Sequence, residues 1–192
     1  FSAIADDLNN NGICGPIVIN VVAGSGPYNE RFLLNEIRGA SNVNTVTLNG
    51  NSNTLQFNSS AQATMHMVVF NGTKYVKIDN LKIKTLNSSY GFGVLFTNGA
   101  AYDSVTNCHI DLSTITGTSS TNASAIAFSS SMTSATGSGN NARNIYIGNN
   151  LIDAGHPTSN GGAYYGISVY GLNSTNYGTD SIYIVNNELR NF

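Results

Sequence analysis

Two nearly identical stretches, IYIGNNLID (residues 145–153) and IYIVNNELR (residues 182–190), place a pair of asparagines inside an alternating apolar pattern. Asparagine is depleted in β-strands, so such a pair is not expected in the middle of one. VKIDNLKIK (76–84) and DSVTNCHID (103–111) are related to them. All four stretches share the pattern apolar-x-Asn-x-x-apolar. The shared asparagines are Asn80, Asn107, Asn149 and Asn186. A repeated exception to strand composition indicates a repeated structural unit.

The distances between these asparagines are 27, 42 and 37 residues, in the range of one supersecondary unit per repeat. A second apolar alternation precedes each copy, for example Val94-Phe96 and Ile126-Phe128. Each repeat therefore contains strand, loop, strand, corner, strand. The pattern predicts a parallel β-solenoid whose stacked turns pair about 4.8 Å apart, with loops of variable length projecting from them. The longest loop segment, residues 113–144, contains SATGSGNNA and is predicted to be exposed.

The asparagines have two predicted roles at the corner. One member of a pair can hold a bend with φ > 0, because asparagine accepts this conformation at lower cost than other residues with a side chain. An inward asparagine can bond its amide to the turns above and below. The second asparagine occurs only in the last two copies, as Asn150 and Asn187. Both assignments of the two columns stay open.

The first turn differs from the rest. FSAIADDLNNNG places Phe1, Ile4 and Leu8 on one helical face and ends at Gly12, which predicts a capping helix over residues 1–12. We therefore predict a single domain, with solenoid turns over residues 13–192 and about five turns in all. The other end shows no such cap. This predicts a fragment of a longer chain, or a surface that stacks on something else.

Composition narrows the function classes. Charged residues make up 9% of the chain, against roughly 25% in ordinary soluble domains, and the net charge is −2. Neither a nucleic-acid partner nor membrane insertion is expected, because basic runs and long apolar segments are both missing from the sequence. Cys14 and Cys108 are predicted to be buried free thiols, with a single disulfide as the alternative.

The repeat resembles the right-handed parallel β-helix repeat of the pectate-lyase-like superfamily. The opening LNNNGICGPIVINVVAGSGPYNERFLL is similar to the N-terminal segment of large secreted β-helix proteins of the Bacteroidota. The resemblance implies an all-β, right-handed parallel β-helix in a secreted or cell-surface protein. It does not fix the activity, because the superfamily includes lyases, hydrolases, esterases, adhesins and structural modules.

Enzymes of this superfamily act on polysaccharides along the outer strand face. Strand alternation places His109 and Asp111 on that face, with Asp153 in the same column as Asp111. They could act as a base and a carboxylate pair, or as calcium ligands. The alternative is an ordinary solvated face with cross-strand pairs such as Lys84 with Asp111. No ligand cluster supports calcium, and no cofactor is predicted.

A loop offers a second candidate site. His156 lies in DAGHPTSNGGAYYG with Tyr164 and Tyr165. Tyrosine rings can stack on sugar rings, so these three residues are candidates for glycan binding. The alternative is a tyrosine-bearing loop packed on the flank of the solenoid.

Two functional hypotheses remain. The first is a non-catalytic structural or adhesive module of a secreted or cell-surface protein, which contacts a polysaccharide or surface glycan and self-associates, for example into a fibre. The second is a fragment of a polysaccharide lyase or glycoside hydrolase that uses His109, Asp111 and Asp153.

Overall fold

The computed structural model describes residues 1–117, 119, 121–156, 161–172 and 178–191. Their strands pair only in parallel and form three sheets, which the chain visits in rotation. This is a parallel β-helix, as the repeat predicted. Five full turns are followed by two strands of a sixth, slightly more than the five turns expected.

Sheet A opens each turn. Its register aligns Leu48, Ile78, Val105, Ile147 and Ile184 in one column. The first four of these side chains are fully buried, because alternate residues of every strand face the interior. The strands of sheet A are β1 (Ile17–Asn20), β4 (Val46–Asn49), β7 (Val76–Asp79), β10 (Ala100–Ala101), β11 (Ser104–Thr106), β14 (Ala142–Gly148) and β17 (Asp180–Val185).

Sheet B follows after the asparagine corner. Its central column contains Leu55, Ile83, Ile110 and Ile152, all fully buried. Short strands suffice here because every strand between the first and the last is paired on both sides by the turns above and below. The strands of sheet B are β2 (Tyr28–Asn29), β5 (Thr54–Phe57), β8 (Lys82–Thr85), β12 (His109–Asp111), β15 (Leu151–Asp153) and β18 (Glu188–Arg190).

Sheet C completes each turn and contains a stack of phenylalanines. The rings of Phe70, Phe96 and Phe128 are nearly parallel, with centroids 4.5 and 4.7 Å apart. In-register parallel strands bring identical side chains together at this spacing. A 3₁₀ turn, Gln62–Thr64, precedes the strand that begins at His66. The strands of sheet C are β3 (Phe32–Leu34), β6 (His66–Asn71), β9 (Gly91–Thr97), β13 (Ala123–Phe128) and β16 (Tyr165–Val169).

The predicted helix covers the first turn. Helix α1 (Ser2–Asn11) buries Ala5 and Leu8 against the core, and Phe1, directly before the helix, is buried as well. It ends at Gly12, which adopts φ 69° and donates its amide N–H to the Leu8 carbonyl at 3.0 Å. Glycine adopts this left-handed conformation without the penalty that a Cβ would bring.

The outer face of sheet C is not exposed. Val69, Phe92 and Leu95 form a second buried apolar cluster there, and the segment 129–141 folds across it. Ala135 in this segment is fully buried. The prediction that all of residues 113–144 is exposed loop was therefore wrong. The segment supplies β13 and then packs back on its own sheet, which a local low-complexity pattern does not reveal.

The two cysteines differ in environment. Both are free, but Cys14 is exposed and Cys108 is buried, so the expectation of burial was wrong for Cys14. Among the residues that the structure describes, no helix has the length and apolar character needed to cross a membrane.

Candidate functional site

The corner between sheets A and B gives the two asparagine columns different roles. Asn80, Asn107, Asn149 and Asn186 all adopt a left-handed backbone, with φ between 52° and 56°. Each lies directly after a strand of sheet A and two residues before a strand of sheet B. The first column therefore makes the bend. Its member Asn149 is exposed, so this side chain points away from the core.

The second column faces inward and forms the amide ladder. Asn150 is buried, and its Nδ2 donates to Asn187 Oδ1 at 2.9 Å and to the Val105 carbonyl at 3.0 Å. Its Oδ1 accepts the Cys108 backbone N–H at 2.9 Å. Asn187 repeats the arrangement by donating to the Ile147 carbonyl. Each amide thus satisfies backbone groups of neighbouring turns that the corner would otherwise leave unpaired.

Asn53 belongs to the same ladder and was missed by the sequence pattern. It is buried, accepts the Gly26 N–H at 2.9 Å and donates to the Val22 carbonyl at 2.9 Å. Four residues, 50–53, separate the strands at this corner, whereas two separate them in later turns. An ungapped comparison of the repeats could not align it.

Leu81 and Cys108 take the ladder position in the middle turns. The Cys108 thiol lies 3.2 Å from the Thr106 carbonyl. Burial raises the pKa of this thiol to about 12, so it stays protonated and unreactive at neutral pH. Cys108 is therefore a packing residue of the corner.

The predicted outward columns of sheet B are present, and ion pairs link them. Asp111 is 5% exposed and lies 2.9 Å from Lys82 Nζ and 3.5 Å from Lys84 Nζ. Ser113 Oγ donates to the same carboxylate at 2.6 Å. Although burial opposes ionisation, these hydrogen bonds and the Lys82 charge together hold the pKa of Asp111 well below its usual range. Asp111 is accordingly a fixed anion over the whole neutral range.

Asp153 lies beside Asp111 in the register of neighbouring strands. Arg190 Nε lies 3.3 Å from its Oδ2, and Asn191 Nδ2 donates to Oδ1 at 2.8 Å. His109 is on the same face, and burial together with the Lys82 charge lowers its pKa. Its buried Nε2 has no hydrogen-bond partner in the described part of the chain. The three residues therefore lie on one face of sheet B, where the two carboxylates contact cationic side chains and an amide.

A metal site requires several convergent ligands. Within the described ranges, His, Cys, Asp and Glu side chains do not gather in threes or more around any point that could hold an ion. Asp111 and Asp153 contribute two carboxylates, and both already contact cationic side chains. The donor set of this face fits internal ion pairing better than calcium coordination.

The tyrosine loop is described in part, since residues 157–160 lie outside the described ranges. His156 donates its backbone N–H to the Gly161 carbonyl at 3.2 Å. Tyr164 is 58% exposed, and its ring meets the ring of Tyr165 edge to face at 4.9 Å. Tyr165 packs against the apolar cluster on sheet C. One of the two rings therefore packs on the solenoid and the other is available at the surface.

A groove that the sequence analysis missed lies where the strands of sheet C end. A cavity of about 500 Å³ is bordered by Asn71, Thr97, Asn98, Met132 and Asn140. A cavity of about 330 Å³ continues from Asn71 and Met132 towards helix α1. We call this surface the amide groove and define it by Asn35, Asn71, Thr97, Asn98, Met132 and Asn140. The asparagines are scattered in sequence, and only the return of segment 129–141 makes them one surface.

Segment 129–141 forms the wall of the amide groove, and buried bonds hold it in place. His66 is fully buried, and its Nε2 lies 2.5 Å from the Met132 carbonyl. Asn141 donates to the Phe128 and Tyr170 carbonyls at 3.2 and 2.6 Å. Ser168 Oγ donates to the Ala135 carbonyl at 3.0 Å. The wall is therefore fixed from several strands at once.

Asp103 is a buried carboxyl that the sequence analysis did not assign. It accepts hydrogen bonds from Thr73 Oγ1 at 2.6 Å and from the Val76 N–H at 2.8 Å. Burial raises its pKa to about 7, against the opposing effect of these hydrogen bonds. Since Asp103 ties its own turn to the preceding one, we interpret it as a corner residue.

Comparison with known proteins adds no assignment: no protein-family model, no curated protein and no solved structure matches the chain significantly.

Proposed function

We propose that this chain is a non-catalytic, structural and adhesive β-solenoid module of a secreted or cell-surface protein that contacts glycans and associates through one end. The observation that carries the proposal is the mutual pairing of the outward charges on sheet B. Asp111 is held by Lys82 and Lys84, and Asp153 by Arg190. Such pairing favours a stable surface over a reactive one, because a catalytic acid or base needs a pKa near the working pH.

The interior supports a mechanical role. Stacked phenylalanines and buried aliphatic columns run from turn to turn, and the amide ladder joins the last turns. Each turn is therefore restrained by both neighbours, as in other solenoids whose stability accumulates along the stack. A rod of this kind can hold a binding surface away from its point of attachment.

The proposed association surface is the last described turn. Ile184 and Leu189 occupy inward register positions, yet they are 46% and 45% exposed. Burial of apolar area is the main favourable contribution to association. Helix α1 covers the first turn at the opposite end. A second copy of residues 1–192 that meets this surface with its own equivalent surface would bury these side chains and give a dimer.

Sedimentation velocity tests the association. We expect a concentration-dependent dimer of the wild-type chain and a monomer for the double variant Ile184→Lys/Leu189→Lys. Val18→Lys is the matched control, since Val18 is 65% exposed on sheet A far from that surface. A wild-type chain that stays monomeric at high concentration, or a control that dissociates equally, would overturn the association part of the proposal.

An activity assay separates the proposal from the enzyme alternative. Release of reducing ends and of unsaturated products is measured on neutral and acidic polysaccharides. We expect no turnover by the wild-type chain. Turnover that Asp111→Asn abolishes, while the circular dichroism spectrum is retained, would establish the lyase or hydrolase alternative with His109, Asp111 and Asp153 as its candidate residues.

A further inference from the structure

We infer that the amide groove binds a neutral, linear polysaccharide that runs along the solenoid axis. The inference rests on the glycan contact in the proposed function. It assigns that contact to residues that were not among the candidates from sequence. Its starting point is the free hydrogen-bonding capacity of the groove. In the described part of the chain, the side-chain amides of Asn98 and Asn140 have no hydrogen-bond partner, and both residues are exposed. Asn71 uses its Nδ2 on Asn35 Oδ1 and leaves its own Oδ1 for a ligand.

The chemistry of the lining selects the ligand class. The residues bordering the larger cavity carry amides, hydroxyls and one thioether, and none of them is charged. A phosphate or carboxylate ligand would need a cation to offset its desolvation, which this lining does not supply. Amides offer a donor and an acceptor each, and so match the hydroxyl groups of neutral sugars.

Met132 supplies the apolar part of the surface. It is 42% exposed and borders both cavities. Leu33, which is partly buried, adds apolar surface in the smaller cavity. A sugar ring presents C–H groups on its faces and hydroxyls at its edge, and ligand sites commonly combine apolar contact with a few placed polar groups.

The polar side chains of the groove recur from turn to turn of the solenoid. Asn35, Asn71 and Thr97 occupy neighbouring turns, and Asn71 is directly in register with Thr97. Neighbouring strands are about 4.8 Å apart, so polar groups recur along the axis at that interval. A linear polymer with regularly spaced hydroxyls fits this arrangement better than a compact ligand does.

The groove is also preorganised. Its wall is held by the His66 contact to Met132 and by the Asn141 bonds to the Phe128 and Tyr170 carbonyls. Binding to a fixed surface avoids the entropy cost of ordering a loop. Weak individual contacts can then add up over several sugar units.

Affinity electrophoresis and calorimetry test the inference on the full chain. The probes are mixed-linkage β-glucan, unbranched mannan and unbranched xylan as neutral linear polymers, with polygalacturonate as the anionic comparison. We expect the wild type to bind at least one neutral polymer and to bind polygalacturonate more weakly. The double variant Asn98→Gly/Asn140→Ala should weaken that binding about tenfold, since it removes two amides that bond the ligand. Met132→Ala should weaken it less.

The controls match each substitution at a site outside the groove. Asn149→Gly keeps a left-handed backbone at the other corner, and Asn10→Ala removes an exposed asparagine of helix α1. Their double variant should bind like the wild type. The inference fails if no neutral polymer binds, if the groove and control variants bind equally, or if polygalacturonate binds best. If it fails while the chain remains inert and dimeric, the structural role stands without the glycan site.

Discussion

Two corners of the solenoid carry asparagines, and the structure uses them in opposite ways. At the corner between sheets A and B, Asn150 is buried, and its side-chain hydrogen bonds join backbone or amide groups of adjacent turns. At the end of sheet C, Asn98 and Asn140 are exposed and their amides have no partner in the described chain. The comparison teaches that asparagine content alone does not separate architecture from binding. Burial and partners do.

The largest expected effect breaks the inward ladder. Asn150→Ala should lower the free energy of unfolding by about 3 kcal/mol, because the Cys108 N–H and the Val105 carbonyl lose their buried partner. Urea unfolding followed by circular dichroism measures this. A loss below about 1 kcal/mol, as for ordinary surface changes, would show that the ladder is not a major source of stability.

Substitution of Asn149 should reduce stability less than substitution of its buried neighbour Asn150. Asn149→Ala should cost about 1 kcal/mol, because alanine is strained in the left-handed conformation that Asn149 adopts. Asn149→Gly should be within about 0.5 kcal/mol of the wild type, since glycine adopts this conformation freely. The same unfolding titration compares them, and equal losses in both variants would contradict a role in the bend.

The groove wall should respond to pH through His66. Burial lowers the pKa of His66, and the nearby Arg31 charge acts in the same direction. A lowered folded-state pKa means that the unfolded chain binds the proton more readily. The stability contribution is then complete above the ordinary pKa of about 6.5 and is lost as the pH falls below it.

His66→Gln isolates this titration because glutamine keeps an N–H donor for the Met132 carbonyl without titrating. We expect the melting temperature of the wild type to fall more than that of the variant between pH 7.5 and pH 5. Both chains contain the same other titratable groups, so the difference between their pH profiles reports His66 alone. One of these groups is Asp103, whose raised pKa of about 7 makes the folded chain more stable as the pH falls over this range. Parallel pH profiles would contradict the assignment.

The smallest effect belongs to the groove itself. Asn140→Ala should change the free energy of unfolding by less than about 0.5 kcal/mol, because the side chain is exposed and unpartnered in the described chain. Set beside Asn150→Ala, it measures the contrast between the corners directly. A loss similar to that of Asn150→Ala would mean that the groove asparagines are structural as well.

Local periodicity was sufficient for the repeating parts of the fold. The apolar alternation, a left-handed asparagine at the corner and the capping helix follow from properties of short segments, and all three are present. The position of Asp111 beside Asp153 in one column followed from the same alternation. The ladder was anticipated only as one of two options, because alternation does not say which of two adjacent corner residues turns inward.

The sequence by itself therefore determined that this protein is a parallel β-helix and which residues repeat in it. Only the tertiary structure decided which asparagines are buried, that Asn53 joins the ladder across a longer corner, and that segment 129–141 covers sheet C and creates the amide groove. The physical reason is range. Strand and corner preferences act over a few residues, whereas burial and groove formation depend on contacts such as His66 with Met132 that are distant in sequence.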